Sequence, residues 1–171
     1  MTTVPSSSQP NTSSANDHIS NIVSSYLEEE KEKSKRWLNL IIHNLEESLS
    51  DDGATWQKDD IDKITSTLRN YIKVTPNISK AIRLGKRQEK ARLLKITVSS
   101  ETEKAAILRN VTKLRKQQNP EDVKKIYVTP DMTPKEQEAN KKLRLELKEL
   151  NKNRNHYWIK NRRIVRRRSQ Q

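Results

Sequence analysis

Apolar residues in this chain are scarce and come in short packets, and that scarcity limits what the chain can build. Of its 171 residues 31% are hydrophobic and 33% are charged, a poorer apolar share and a richer charged share than an ordinary globular domain has. Such a chain supports one thin core with appendages. The period inside each packet decides its element. Trp37 to Leu45 alternates, with Leu38, Leu40 and Ile42 on one side and Asn39, Ile41 and His43 on the other, which predicts a strand. Lys80 to Leu84, Arg92 to Val98 and Lys124 to Thr129 read as three more strands, with Gly85 to Lys90 as a charged hairpin loop. Ile61, Ile64, Leu68 and Ile72 mark an amphipathic helix from Trp56 to Ile72, closed by Pro76. Ser100 with Glu103 is a capping box that opens a second helix, which buries Ile107, Val111 and Leu114. The resulting order, β-α-β-β-α-β over residues 36–130, is that of a ferredoxin-like α+β domain, the arrangement of RNA-recognition motifs.

The flanks read differently. Residues 1–16 are Ser, Thr, Asn and Pro with almost no large apolar group, a composition that predicts disorder. Over residues 17–35 Ile19, Ile22, Val23, Tyr26 and Leu27 recur at spacings of three and four. This has the period of a coiled-coil seam but lasts about one heptad, so weak self-association is the most it offers. After residue 130, Thr133-Pro134-Lys135-Glu136 is a capping box with proline at the first helical position. The helix it opens carries an apolar stripe of Ala139, Leu143, Leu147 and Leu150, and a basic stripe of Lys141, Arg144, Lys148 and Lys152. Tyr157 to Val165 reads as a β-hairpin turning at Asn161-Arg162. Residues 131–171 thus form a basic helix-hairpin domain.

Charge narrows the function. The net charge is +13, and it is uneven: residues 1–35 carry −2 and the remainder carries +15. That asymmetry points to a polyanionic partner for the later part. Enzymatic chemistry finds no agent here. Cysteine is absent and His18, His43 and His156 are scattered, so neither thiolate nor histidine ligation of a metal is expected. Two glycines cannot build a phosphate-cradling loop. The pairs Asp51-Asp52 and Asp59-Asp60 fall in a loop and at a helix start, where solvation and the helix dipole account for them. No cofactor and no small-molecule substrate is expected. No apolar run approaches the roughly 20 residues that span a bilayer, and no secretory signal is read at the N-terminus.

Several runs carry a family resemblance: Tyr127-Val128-Thr129-Pro130-Asp131-Met132-Thr133-Pro134, Asn39-Leu40-Ile41-Ile42-His43-Asn44-Leu45 and Ala81-Ile82-Arg83-Leu84-Gly85-Lys86. Across roughly Arg36 to Val165 the chain resembles the nucleic-acid-binding part of the first-open-reading-frame proteins of LINE retrotransposons. The resemblance implies a nucleic-acid chaperone that coats RNA, in cytoplasmic ribonucleoproteins or in the nucleus. Members of that family carry a long trimeric coiled coil before the RNA-recognition motif, where this chain has only the stretch Ile19 to Leu27.

Ile41 stands where strand one of an RNA-recognition motif usually has an aromatic ring, and Leu93, Lys95 and Thr97 stand where strand three has its rings. Stacking is worth about 1–3 kcal/mol per base, so without those rings binding is expected to lean on phosphates, with single-stranded RNA, or single-stranded DNA, as partner. Arg83, Lys86, Arg87 and Arg92 around strands two and three form one expected wall of a groove. Lys141, Lys142, Arg144 and Lys148 on the helix, with Arg154, Arg162 and Arg163 near the hairpin, form the other. Tyr127 and Tyr157 are the expected stacking rings, with Trp158 packing the hairpin onto the helix. Arg166-Arg167-Arg168 reads as a nuclear-import signal or an electrostatic tail. In the competing reading the chain is a protein-interaction or scaffolding module: the sheet face, apolar at Ile41 and Leu93, binds a partner helix, and the basic tail only localises it.

Overall fold

The computed structural model describes residues 12–47, 53–116, 118–152, 156–160 and 162–166. A long helix α1 (Thr12–Arg36) leads into β1 (Asn39–His43), then α2 (Gly53–Thr67), whose last turn widens to a π-turn over Leu68–Ile72. There follow β2 (Ile78–Arg83), β3 (Leu94–Val98), α3 (Glu101–Asn110) with a 3-10 turn over Val111–Arg115, the short α4 (Glu121–Lys125) and β4 (Tyr127–Pro130). Helix α5 (Pro134–Leu150) and the strands β5 (Tyr157–Lys160) and β6 (Arg163–Arg166) complete the order. The protein is a mixed α+β fold with a four-stranded antiparallel sheet, in the order β2-β3-β1-β4, and a separate two-stranded hairpin.

Alternation along the strands sorts the residues by face. Leu40 and Ile42 of β1, Leu94, Ile96 and Val98 of β3, Ala81 of β2 and Val128 of β4 point into the core. Ile64, Leu68 and Ile72 of α2, Ile107 and Leu114 of α3, and Val123 beside Ile126 cover that face of the sheet. Each such Leu or Ile, fully buried, contributes about 1.5–3 kcal/mol. The core contains no aromatic ring. Tyr71 packs half-buried against its edge, and none of the three Trp and four Tyr of the chain is fully buried.

Several boundaries differ from the expected ones. Helix α1 begins at Thr12, five residues before the expected start, so residues 12–16 of the expected disordered tail are helical; residues 1–11 lie outside the described residues. Helix α2 reaches back to Gly53. Lys124 and Lys125, expected in a strand, sit in α4 because Pro120 opens a turn with Glu121 and Asp122 at its positive end. At α3, Ser100 accepts from Glu103 N–H at 3.3 Å. The Glu103 carboxylate reaches past the cap to the N–H groups of Ser99 and Asn77, so it also fastens the turn before β2.

One short segment ties the parts together. Asp131 accepts from Arg36 Nη1 and Asn39 Nδ2, both at 3.1 Å, while its own N–H donates to Asn39 O. Thr133, fully buried, caps α5 in a complete capping box with Glu136 and donates its hydroxyl hydrogen to Glu29 of α1. Glu136 also holds Arg162 of the hairpin at 2.6 Å. Its carboxyl is pushed up by burial but held below the ordinary range by the bonds from Arg162 and from Thr133 N–H.

Arg83 is part of the frame and not of any binding wall. Its guanidinium is buried against Asp60 of α2, at 2.5 and 2.9 Å, and also donates to the carbonyls of Leu45, Glu46 and Arg92. The expectation that Arg83 contacts nucleic acid is therefore corrected. Its alternation with Ala81 turns it to the core side, where a cation persists only if fully paired. Replacing one partner strands the other charge in the interior. Arg83→Met is expected to lose about 3–5 kcal/mol in urea denaturation, and Arg83→Met with Asp60→Leu to recover most of that loss.

Candidate nucleic-acid interface

Arg92 is absorbed in the same way as Arg83. Its Nη2 and Nε lie 2.7 and 3.0 Å from Glu47 Oε2, its own N–H bonds Glu47 Oε1, and its Nη1 donates to Gly85 O. The pair clasps the loop after β1 to the start of β3, so Arg92 too is corrected from ligand contact to structural clasp. Lys86 and Arg87 stay exposed in the β2–β3 loop, next to Gly85 in its left-handed turn at φ +85°. The expected wall beside strands two and three is thus reduced to those two side chains.

The open face of the sheet carries Asn39, Ile41 and His43 of β1, Lys95 and Thr97 of β3, Lys80 and Ile82 of β2, and Tyr127 and Thr129 of β4. His43 and Tyr127 are paired residues on adjacent strands, and their rings stack at 3.9 Å between centroids and 12° between planes. His43 Nε2 lies 3.1 Å from Thr129 Oγ1, which fixes the imidazole in its plane. Burial pushes His43 below its ordinary value, so the ring is neutral at pH 7.

The helix-hairpin part has the freer cations. The hairpin folds back along α5: Asn151, just past the helix, brackets the main chain of Tyr157 with two bonds of 3.0 Å, and Arg162 at the hairpin turn reaches Glu136 in the first helical turn. The lengths agree, since fifteen residues of helix and five of strand each span roughly 20 Å. Arg162 adopts φ +59°, the left-handed geometry such a two-residue turn demands. At 100° per residue Lys141, Arg144 and Lys148 share one flank of α5, and Glu138, Glu146 and Glu149 share the other; Lys152, expected on the basic stripe, lies past the helix end and pairs with Glu149. Lys141, Arg144 and Lys148 are exposed with no carboxylate partner among the described residues. Lys142 falls on the acidic flank, 3.8 Å from Glu138, so it is separated from the three cations expected beside it. Helix α5 buries no residue fully; Leu143 and Leu147 are half-buried and Leu150 is exposed.

The hairpin reverses the expected roles of its rings. Tyr157 and Ile159 alternate inward toward α5, and Tyr157 is half-buried. Trp158 points outward, 46% exposed, on one face with Lys160, Arg163 and Val165. Tyr157 is thus a packing residue and Trp158 the accessible ring. Arg162 is held by Glu136, Arg163 is exposed, and Arg154 lies outside the described residues. Sequence reasoning missed Trp158, Lys160 and His43. Asn151, six residues away, holds the main chain of Tyr157 beside the end of α5, and alternation along β5 then turns the Tyr157 ring in and Trp158 out.

Among the described residues no group of acidic, His or Cys side chains is arranged to hold a metal, and no helix is long and apolar enough to cross a membrane. The Glu47–Arg92 clasp makes a pH prediction. Arg92's side-chain bond holds the Glu47 carboxyl below its ordinary value of 4.5. A lowered folded value adds stability that is full above the ordinary carboxylate range and is lost as pH falls through the folded value. Glu47→Gln is therefore expected to lower the thermal midpoint at pH 7, and the gap from the native chain should narrow as pH falls below the ordinary carboxylate range. Compared with protein-family models and with curated proteins, the chain matches none.

Proposed function

We propose that this chain is a non-catalytic protein that binds single-stranded nucleic acid, RNA first, in the manner of the LINE first-open-reading-frame proteins, and assists strand exchange by neutralising phosphates. The observation that carries the reading is the pairing of one α5 flank, Lys141, Arg144 and Lys148, with the outward hairpin face of Trp158, Lys160 and Arg163. Cations without carboxylate partners attract a polyanion at the cost of few internal bonds, and an exposed indole among them gives a base somewhere to stack. The sheet order β2-β3-β1-β4, all antiparallel, supports reading residues 36–130 as ferredoxin-like and of the RNA-recognition-motif type. The groove with phosphates on two walls is given up, because Arg83 and Arg92 are held by Asp60 and Glu47.

Titrating labelled single-stranded RNA over a salt series tests this. Replacing Lys141, Arg144 and Lys148 together by Ala is expected to weaken binding and to reduce the slope of log affinity against log salt by about two, at roughly 0.7 per phosphate on a single strand. Trp158→Ala is expected to weaken binding by about 1–3 kcal/mol with the salt slope unchanged. Absence of binding at low salt moves the protein-interaction reading to first place, with Ile41, Ile82 and Leu93 as its contact face.

A second copy of the chain is the other proposed partner. Ile19, Ile22, Val23, Tyr26 and Leu27 are each at least half exposed on α1, and a contiguous apolar stripe of this kind marks an interaction surface. Sedimentation is expected to show a self-associating native chain and a monomer for Ile22→Lys with Leu27→Lys.

A further inference from the structure

We propose that His43 and Tyr127 form a stacking subsite for one unpaired nucleobase at the β1–β4 side of the open sheet face; the proposal rests on the single-strand reading above and adds a second, separate contact to it. The pair does not use Ile41, Leu93, Lys95 or Thr97, the positions that carry rings in RNA-recognition motifs; it lies one same-face step along β1 from Ile41. The two rings are parallel and in contact, at 3.9 Å and 12°. Thr129 holds the imidazole through Nε2, and Tyr127 still keeps 36% of its surface exposed. The Tyr127 hydroxyl has no hydrogen-bond partner among the described residues.

The pair stabilises β1 against β4 as a cross-strand contact but takes no part in the core. The core is wholly aliphatic, and it lies on the other side of the sheet, under Leu40, Ile42 and Val128. What the pair does provide is a flat platform already ordered, so a base that joins it does not bear the cost of immobilising a side chain. The neutral imidazole adds π surface without a charge that water would hold back. Asn44, in a left-handed turn at φ +59°, donates to Lys125 O at 2.9 Å. That bond holds the main chain of Lys125, an exposed residue two positions before Tyr127, against the end of β1. A base must leave a duplex to reach such a platform, so the subsite selects single strands.

The test uses the full chain with two single strands of equal length, one bearing bases and one built of abasic sugar-phosphate. Tyr127→Leu and His43→Leu are each expected to weaken binding of the base-bearing strand about fivefold, with abasic binding unchanged and Tyr127→Phe close to native. In the native chain, the base-bearing strand alone is expected to shift the His43 imidazole proton resonances upfield. An unchanged preference for the base-bearing strand in both Leu variants, or resonances that do not move, overturns the subsite. If the Lys141, Arg144 and Lys148 replacement still weakens binding in that case, the single-strand reading stands without it. Absence of binding to either strand overturns both.

Discussion

Asp131, Thr133 and Glu136 carry the joints of this molecule. Each has more than one partner, and the partners come from different parts of the chain: Asp131 joins the end of α1 to β1, Thr133 joins α1 to the first turn of α5, and Glu136 joins that turn to the hairpin. The residues between them include Pro134, which needs no N–H partner at the first helical position. A complete capping box therefore does two things at once. It satisfies the orphan donors of α5, and it presents a carboxylate to Arg162 and a hydroxyl to Glu29. The helix-hairpin part buries little apolar surface of its own, and these polar joints are what hold it against α1.

The aliphatic core has a consequence for function. With no Phe in the chain and Tyr71 packed only against the edge of the core, several rings are left for surfaces. Tyr26 stands on the exposed stripe of α1, Trp37 lies under Lys104 at the edge of α3, Tyr127 stacks with His43 on the sheet, and Trp158 stands on the hairpin. Trp158 has the exposed Lys160 and Arg163 on its own face, which is the chemistry that an unpaired, negatively charged strand meets best. The basic residues divide in the same way. Arg83 and Arg92 near the sheet are fastened to carboxylates and hold loops in place, while Lys141, Arg144 and Lys148 on one flank of α5 have no carboxylate partner among the described residues.

Much of the architecture was legible because its causes are local. Alternation in Asn39-Leu40-Ile41-Ile42-His43 decides a strand and its two faces, and a spacing of three and four in Ile61, Ile64, Leu68 and Ile72 decides a helix and its buried side. The Thr133–Glu136 box was readable from four residues. The short α4 was not, since Lys124-Lys125-Ile126-Tyr127-Val128 has the composition of a strand, and only the turn opened at Pro120 makes its beginning helical. The candidate site was legible in part: Lys141, Arg144 and Lys148 stand on the flank where helical spacing put them.

The kinds of element, the faces of the strands and the basic character of the C-terminal part are written in local patterns, because each follows from period, caps and composition within a few residues. Tertiary structure alone decided which charges are available. Arg83 meets Asp60 23 positions earlier, Arg92 meets Glu47 45 earlier and Arg162 meets Glu136 26 earlier. Tertiary structure likewise turned Trp158 outward and brought His43 onto Tyr127. A charge or a ring is committed by what lies opposite it in space, and no local pattern carries that information.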